Sequence, residues 1–147
     1  MYFVDRKEIF NTLDYMDSIL EGLYKEETYH MFLQKLALER MAHVIIDSIL
    51  DVGNMMIDGF IMRDPGGFDD IIDILVDEKV IPKSEQKTYK EMIRLREMVV
   101  KHYLSVDHAF LSETLKENKP ILKKFSTHVK TYLNDELGVV NAFSDRD

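Results

Sequence analysis

Apolar residues recur along this chain at alternating steps of three and four. Ile9, Leu13, Met16, Leu20 and Leu23 follow that rhythm, which places them on one face of a helix. Asp5 and Glu8 stand ahead of them at capping-box spacing, so the helix is expected to begin at Asp5. The segment from Glu26 to Tyr29 reads as a turn. A second helix is predicted from about Met31 to Ile57, with Leu33, Leu36, Met41, Val44, Ile45 and Ile49 as apolar positions. Its apolar arc is wide, as expected for the central helix of a bundle. Gly53 lies inside it at a cost of about 1 kcal/mol against Ala, and such a glycine marks a kink or a close helix contact.

Asp64-Pro65-Gly66-Gly67 is the clearest break. A shorter third helix is predicted from Phe68 to Lys79, with Asp69 and Asp70 where the helix dipole favours acids. Val80-Ile81-Pro82 ends it. Ser84 is the expected N-cap of a fourth helix carrying Met92, Ile93, Leu95, Val99, Val100 and Tyr103. Val106-Asp107 reads as a joint before a short helix from His108 to Glu117. Asn118-Lys119-Pro120 then resets the chain, with Pro120 in a first helical turn. The last helix should run to about Glu136 with Ile121, Leu122, Phe125, Val129, Tyr132 and Leu133 as its core face, capped by Gly138. No strand-like alternation, repeat or long linker interrupts this series. The prediction is therefore one all-α domain over residues 1–137, an antiparallel bundle of five to six helices, with residues 138–147 as a flexible C-terminal tail.

The length of 147 residues suits one core, and 46% hydrophobic residues exclude wholesale disorder. The absence of cysteine excludes a disulfide scaffold, a thiolate zinc site and a cysteine nucleophile. No uncharged stretch reaches membrane-spanning length, and MYFVDRKEIF does not read as a signal peptide. A cytoplasmic protein without membrane partners is expected. The formal net charge of −8 repels phosphate backbones, so general nucleic-acid binding is excluded. RNA binding would need Arg96, Lys101 and Arg94 or Arg40 gathered around one cleft.

Two constellations carry chemistry. The first runs from Arg96 through Lys101 and His102 to Tyr103. On a continuous helix Arg96 and Tyr103 share a face about 10 Å apart along the axis, whereas neither Lys101 nor His102 shares it. Arginine binds phosphate through two donors, and histidine moves protons near neutral pH. The plain alternative is an arginine lying along apolar surface, a packed tyrosine and a solvated histidine. The second is a polar stripe on the second helix, His43, Asp47, Asp51 and Asn54, with Arg40 one turn before it. It is expected to line a groove. Its members spread over about 12 Å, too far for one ion, so no metal and no cofactor is expected. The glycines between Gly59 and Phe68 lack the Walker A pattern and a preceding strand, and read as a shaped connection.

The order of these features resembles the HepT-like ribonuclease toxin family (the domain-of-unknown-function 86 family) of the HEPN superfamily. The matching pieces are Gly53-Asn54, the Gly59-Phe60…Pro65…Phe68-Asp69-Asp70 connection, Leu75…Lys79-Val80-Ile81-Pro82, and Arg96 to Asp107. The stretch from Gly53 to Asp77 is similar to a Bacillus-type branch. The resemblance implies an HEPN-like homodimer with its active groove between two copies, an RNA substrate, and a nucleotidyltransferase antitoxin as partner. The family pattern is Arg, four to six residues, His, one residue, Tyr. Arg96 and Tyr103 match its ends. Lys101 stands where the histidine is expected, His102 keeps the Arg-to-His spacing but lies beside Tyr103, and Glu97 replaces a frequent asparagine. By this resemblance Arg96 and Lys101 bind phosphate and His102 is the general acid/base. Tyr103 is the position of regulatory nucleotidylation. Lysine, with a reference pKa near 10.4, is a poor proton acceptor at pH 7. His102 would reach Arg96's groove only through a bulge, a helix end or a partner chain. The alternative function is a non-catalytic HEPN-like dimer that binds a protein or nucleotide ligand.

Overall fold

Asp5 accepts a hydrogen bond of 3.0 Å from the Glu8 amide, and helix α1 (Arg6–Lys25) starts behind that cap. This computed structural model describes the backbone of residues 3–144 and the side chains of residues 3–137. All five periodic residues of α1, from Ile9 to Leu23, are buried.

Helix α2 (Phe32–Gly59) starts where Gln34 Oε1 accepts from the amides of His30 and Met31, at 3.2 and 3.1 Å. Its core stripe begins only at Leu38 and continues through Ala42, Ile45, Ile46, Ile49, Val52 and Met56. Leu33 and Leu36, expected in the core, are 76% and 45% exposed, beside exposed Met31 and Phe32. At 28 residues against 20 for α1, α2 outruns its neighbours and leaves its first turns uncovered. Further along, a Cβ at Gly53 would come within 2.6 Å of Ile71 Cγ2, so the missing side chain is what lets α2 meet α3.

Helices α2 and α3 (Phe68–Asp77) end alike. Ile61 and Lys79 adopt φ of 55° and 62°, and the following amides, Met62 and Val80, reach back to the carbonyls of Ile57 and Leu75 at 2.9 and 2.8 Å. This is the Schellman closure, here made without glycine. Lys79 is thus the left-handed residue beyond α3, not its last helical residue. Between the two helices, Arg63 grips Asp70 with two bonds of 2.7 and 2.8 Å, and the Gly66 amide adds a third of 2.8 Å. The Arg63 guanidinium, helped by that amide, holds the Asp70 carboxyl down to about 2.

Ser84 does not cap α4 (Gln86–Lys101). It lies in a 3₁₀ turn, Lys83–Glu85, that leads into the helix without a side-chain cap. The join is made instead by Asp73 of α3, which accepts from Gln86 at 2.6 Å and from Lys90 at 2.7 Å. Asp107 caps α5 (His108–Glu117) through the Phe110 amide at 3.0 Å. The last helix, α6 (Lys119–Ser144), runs through Gly138, which therefore does not cap it. One interior glycine costs about 1 kcal/mol, too little to stop an established helix. The rest of the expected tail, residues 145–147, lies outside the described residues.

Six α-helices and no strand occur among the described residues. The bundle is arranged around α2, which packs against α1, α3, α4 and α5, while α6 closes over α1 and α5. Among the described residues no helix is long and apolar enough to cross a membrane.

Two glycines separate propensity from packing. Gly22 of α1 has open space where a Cβ would stand, so Gly22→Ala should stabilise the protein by about 1 kcal/mol. Gly53→Ala gains the same propensity but overpacks Ile71, at about 1–3 kcal/mol, and should be destabilising overall. Urea unfolding of both variants checks the opposite signs; a stabilised Gly53→Ala would contradict the close α2–α3 approach.

Candidate active groove

Helix α4 turns Met92, Leu95 and Val99 into the core, and Arg96 emerges between them at the seam with α2 and α3. Its side chain is only 19% exposed. Nε donates to Asp47 Oδ1 of α2 at 2.5 Å, and the other Asp47 oxygen lies 2.9 Å from His43 Nε2. The guanidinium carbon sits 4.8 Å from the centroid of the Phe68 ring, at the start of α3. Three helices therefore hold one cation: a carboxylate fixes its inner edge and an aromatic face supports its plane. Among the described residues Arg96 makes no further hydrogen bond, so its terminal N–H groups are available as a fork for an anion.

The α2 stripe is partly gathered here. Asp47 joins Arg96 directly, and His43 reaches it only through Asp47. The Asp51 carboxyl is pushed up, first by desolvation and then by the charge of Asp47, with Arg96 opposing both. Arg40 and Asn54 are exposed and make no side-chain hydrogen bond or ion pair among the described residues. Arg94 does not join the cluster. Two residues from Arg96 on a helix, it turns away and lines a separate cleft with Glu91, Met98, Phe110 and Glu117.

The other predicted residues stand at the end of α4. Lys101 is its last residue, and the amide of His102 reaches both Met98 O at 3.1 Å and Glu97 O at 3.3 Å. That amide mixes α-type and wider π-type closure as the helix stops. Tyr103 then opens a 3₁₀ turn, Tyr103–Ser105, and is 66% exposed. The expectation that Tyr103 shares a helical face with Arg96 is thus corrected, because the helix ends between them. The Val106-Asp107 joint was visible in sequence, but the chain leaves the helix before reaching it. Lys101, His102 and Tyr103 are exposed and make no side-chain hydrogen bond or ion pair among the described residues. No group of three or more His, Asp or Glu side chains among the described residues is placed to hold a metal ion.

The support that Phe68 gives to Arg96 is not legible in the sequence. Its only signal was an aromatic residue at the close of the glycine-rich connection.

A model of the family described as Ribonuclease HepT-like matches residues 9–129. This chain belongs to the HepT-like ribonuclease family. A relative from Bacillus subtilis (strain 168), named as the candidate RNase YutE, is 44% identical over 143 residues, 97% of this chain and 99% of its own. The solved structure of YutE, described as a cytosolic protein of unknown function, is similar with a TM-score of 0.91 and 43% identity, covering 94% of this chain and 96% of that one. A Shewanella oneidensis HEPN toxin, tri-AMPylated and in complex with an MNT antitoxin, shares the fold with a TM-score of 0.75. It is 14% identical, with 84% of this chain and 96% of that chain covered. The HepT-like fold thus accounts for the six helices, and the Arg96 cluster lies where three of them converge.

The electrostatics of the cluster give a direct check. Arg96→Met removes the charge that favours the Asp51 carboxylate and should raise the Asp51 pKa further. Asp47→Asn removes a repelling charge and should lower it. Carboxyl-detected NMR titration reads both, and an Asp51 pKa unmoved by either change would contradict the arrangement.

Proposed function

We propose that this HepT-like protein is a metal-independent RNA endonuclease. In this reading it is the toxin of a toxin–antitoxin pair whose antitoxin is a nucleotidyltransferase. The observation that carries the reading is Arg96, fixed by Asp47 and Phe68 with its terminal donors free, in a chain of a ribonuclease family. Arg96 binds the scissile phosphate, and Lys101, the last residue of α4, adds positive charge to the RNA-facing end of that helix. His102, released from helical geometry at the end of α4, is the general acid/base at the 2′-hydroxyl or the leaving oxygen. Tyr103 offers an exposed phenol for nucleotidylation by the antitoxin. The tri-AMPylated, antitoxin-bound state of the Shewanella toxin supports that role by analogy.

The working unit in this reading is a cytoplasmic homodimer with the groove between its copies. Exposed Met31, Phe32, Leu33 and Leu36 support it, since four adjoining apolar side chains on one helix end are unusual for a monomer's surface. One observation favours a second reading, a non-catalytic dimer that binds a protein or nucleotide ligand: Lys101 stands at the place of the family histidine.

The two readings separate on end-labelled single-stranded RNA in the presence of EDTA, with the protein's oligomeric mass followed by light scattering. The nuclease reading expects a dimer that cleaves RNA, a loss of about 10²–10³-fold in Arg96→Ala, and a loss of about 10²–10⁴-fold in His102→Ala. Intact RNA with the wild-type protein selects the non-catalytic reading. Cleavage surviving His102→Ala removes the role given to His102.

A further inference from the structure

RNA transesterification moves two protons: one leaves the attacking 2′-hydroxyl and one reaches the departing 5′-oxygen. His102 can serve one transfer. A lysine ammonium has three donors and no acceptor, so Lys101 does not suit the other. The remaining imidazoles are sharply divided by position. His108 is 2.7 Å from Glu39, His128 is 3.0 Å from Glu85, which also accepts from Tyr89, and His30 lies in the turn before α2. His43 shares its carboxylate with Arg96.

We infer that His43 is the general base of the cleavage proposed above, with Asp47 positioning both it and Arg96; the inference rests on that reading. Asp47 uses its two oxygens on two functions. Oδ2 lies 2.9 Å from His43 Nε2, within ion-pair distance, and Oδ1 accepts from Arg96 Nε at 2.5 Å. An ionised carboxylate is acceptor-only, so its nearness to Nε2 favours the tautomer with the proton there and the lone pair on Nδ1. The His43 side chain makes no hydrogen bond among the described residues and is 31% exposed, which leaves the ring within reach of an incoming group. A carboxylate that orients an imidazole and offsets the charge it acquires is the logic of hydrolytic triads. Here the same carboxylate also fixes the distance between the base and the phosphate ligand.

The step balances without a co-reactant. His43 Nδ1 removes the 2′-hydroxyl proton as the 2′-oxygen bonds to phosphorus. The bond from phosphorus to the 5′-oxygen breaks, and that oxygen takes a proton from His102. The products are a 2′,3′-cyclic phosphate and a 5′-hydroxyl. Arg96 meets the charge on the non-bridging oxygens, and Asp47 meets the imidazolium left on His43. The charged groups around His43 are Asp47 and, one turn earlier, Arg40 on its own helix, with Arg96 of α4 on the far oxygen of Asp47; Glu39 is occupied by His108 of α5.

The test is the pH–rate profile of cleavage by the wild type, His43→Gln, Asp47→Asn and His102→Ala on the same single-stranded RNA, with folding checked by circular dichroism. His43→Gln should lose about 10²–10⁴-fold in kcat with little change in KM, and the rising acid limb of the profile should vanish. His102→Ala should instead lose the falling limb. Asp47→Asn should lower kcat while the limb set by the His43 imidazole moves, because the ring remains but its tautomer is no longer held. Histidine-selective NMR of the wild type gives a readout that needs no variant: the His43 midpoint should coincide with the rising limb. A His43→Gln protein with wild-type kcat and an intact rising limb, or a His43 midpoint away from that limb, overturns the inference and leaves the nuclease reading standing. A wild-type protein that never cleaves RNA overturns the reading, and the inference falls with it.

Discussion

Helix α2 carries apolar side chains around so much of its circumference that water cannot solvate it favourably, and each fully buried Leu, Ile or Met contributes about 1.5–3 kcal/mol. Four helices must therefore gather around it. That requirement also explains the candidate site. Where His43, Asp47 and Asp51 interrupt the apolar arc, a partly buried carboxylate needs a partner, because desolvating a charge without one is costly. The neighbour packed at that level is α4, and Arg96 is the partner it supplies. The core and the polar seam thus follow from one helix.

The helix ends set what can reach the seam. Schellman closures at Ile61 and Lys79 turn the chain sharply and bring Phe68 back over Arg96. A β-branched residue in the left-handed region costs about 1–3 kcal/mol, and Ile61 holds it because Met62, Arg63 and Asp70 pin the connection on its far side. The stop of α4 at Lys101 is the counterpart. It takes His102 and Tyr103 out of helical register.

The helices were legible because their signals are local. Asp5 with Glu8, and Asp107 before α5, cap helices by hydrogen bonds within three residues. What was not legible depends on neighbours. Leu33 and Leu36 fit the apolar face of α2, yet no sequence rule says that this stretch outruns its cover. Ser84 has the chemistry of a cap, but Asp73 reaches Gln86 and Lys90 from another helix and fixes the join differently. For the site, the α2 stripe and Arg96 were each visible as patterns, but their meeting joins residues 49 apart in sequence. Gly53 lies between these cases: its presence signalled a close approach, and only the fold identified Ile71 as the group approached.

The central claim is that a phosphate of RNA sits on the free side of Arg96 while Asp47 keeps hold of Nε. A crystal structure with a short RNA blocked by 2′-O-methyl groups tests it directly. The account predicts a phosphate within hydrogen-bond distance of both Arg96 terminal nitrogens, with the Arg96–Asp47 and Asp47–His43 contacts intact. A backbone bound elsewhere, with Arg96 still turned wholly toward Asp47 and Phe68, would contradict it.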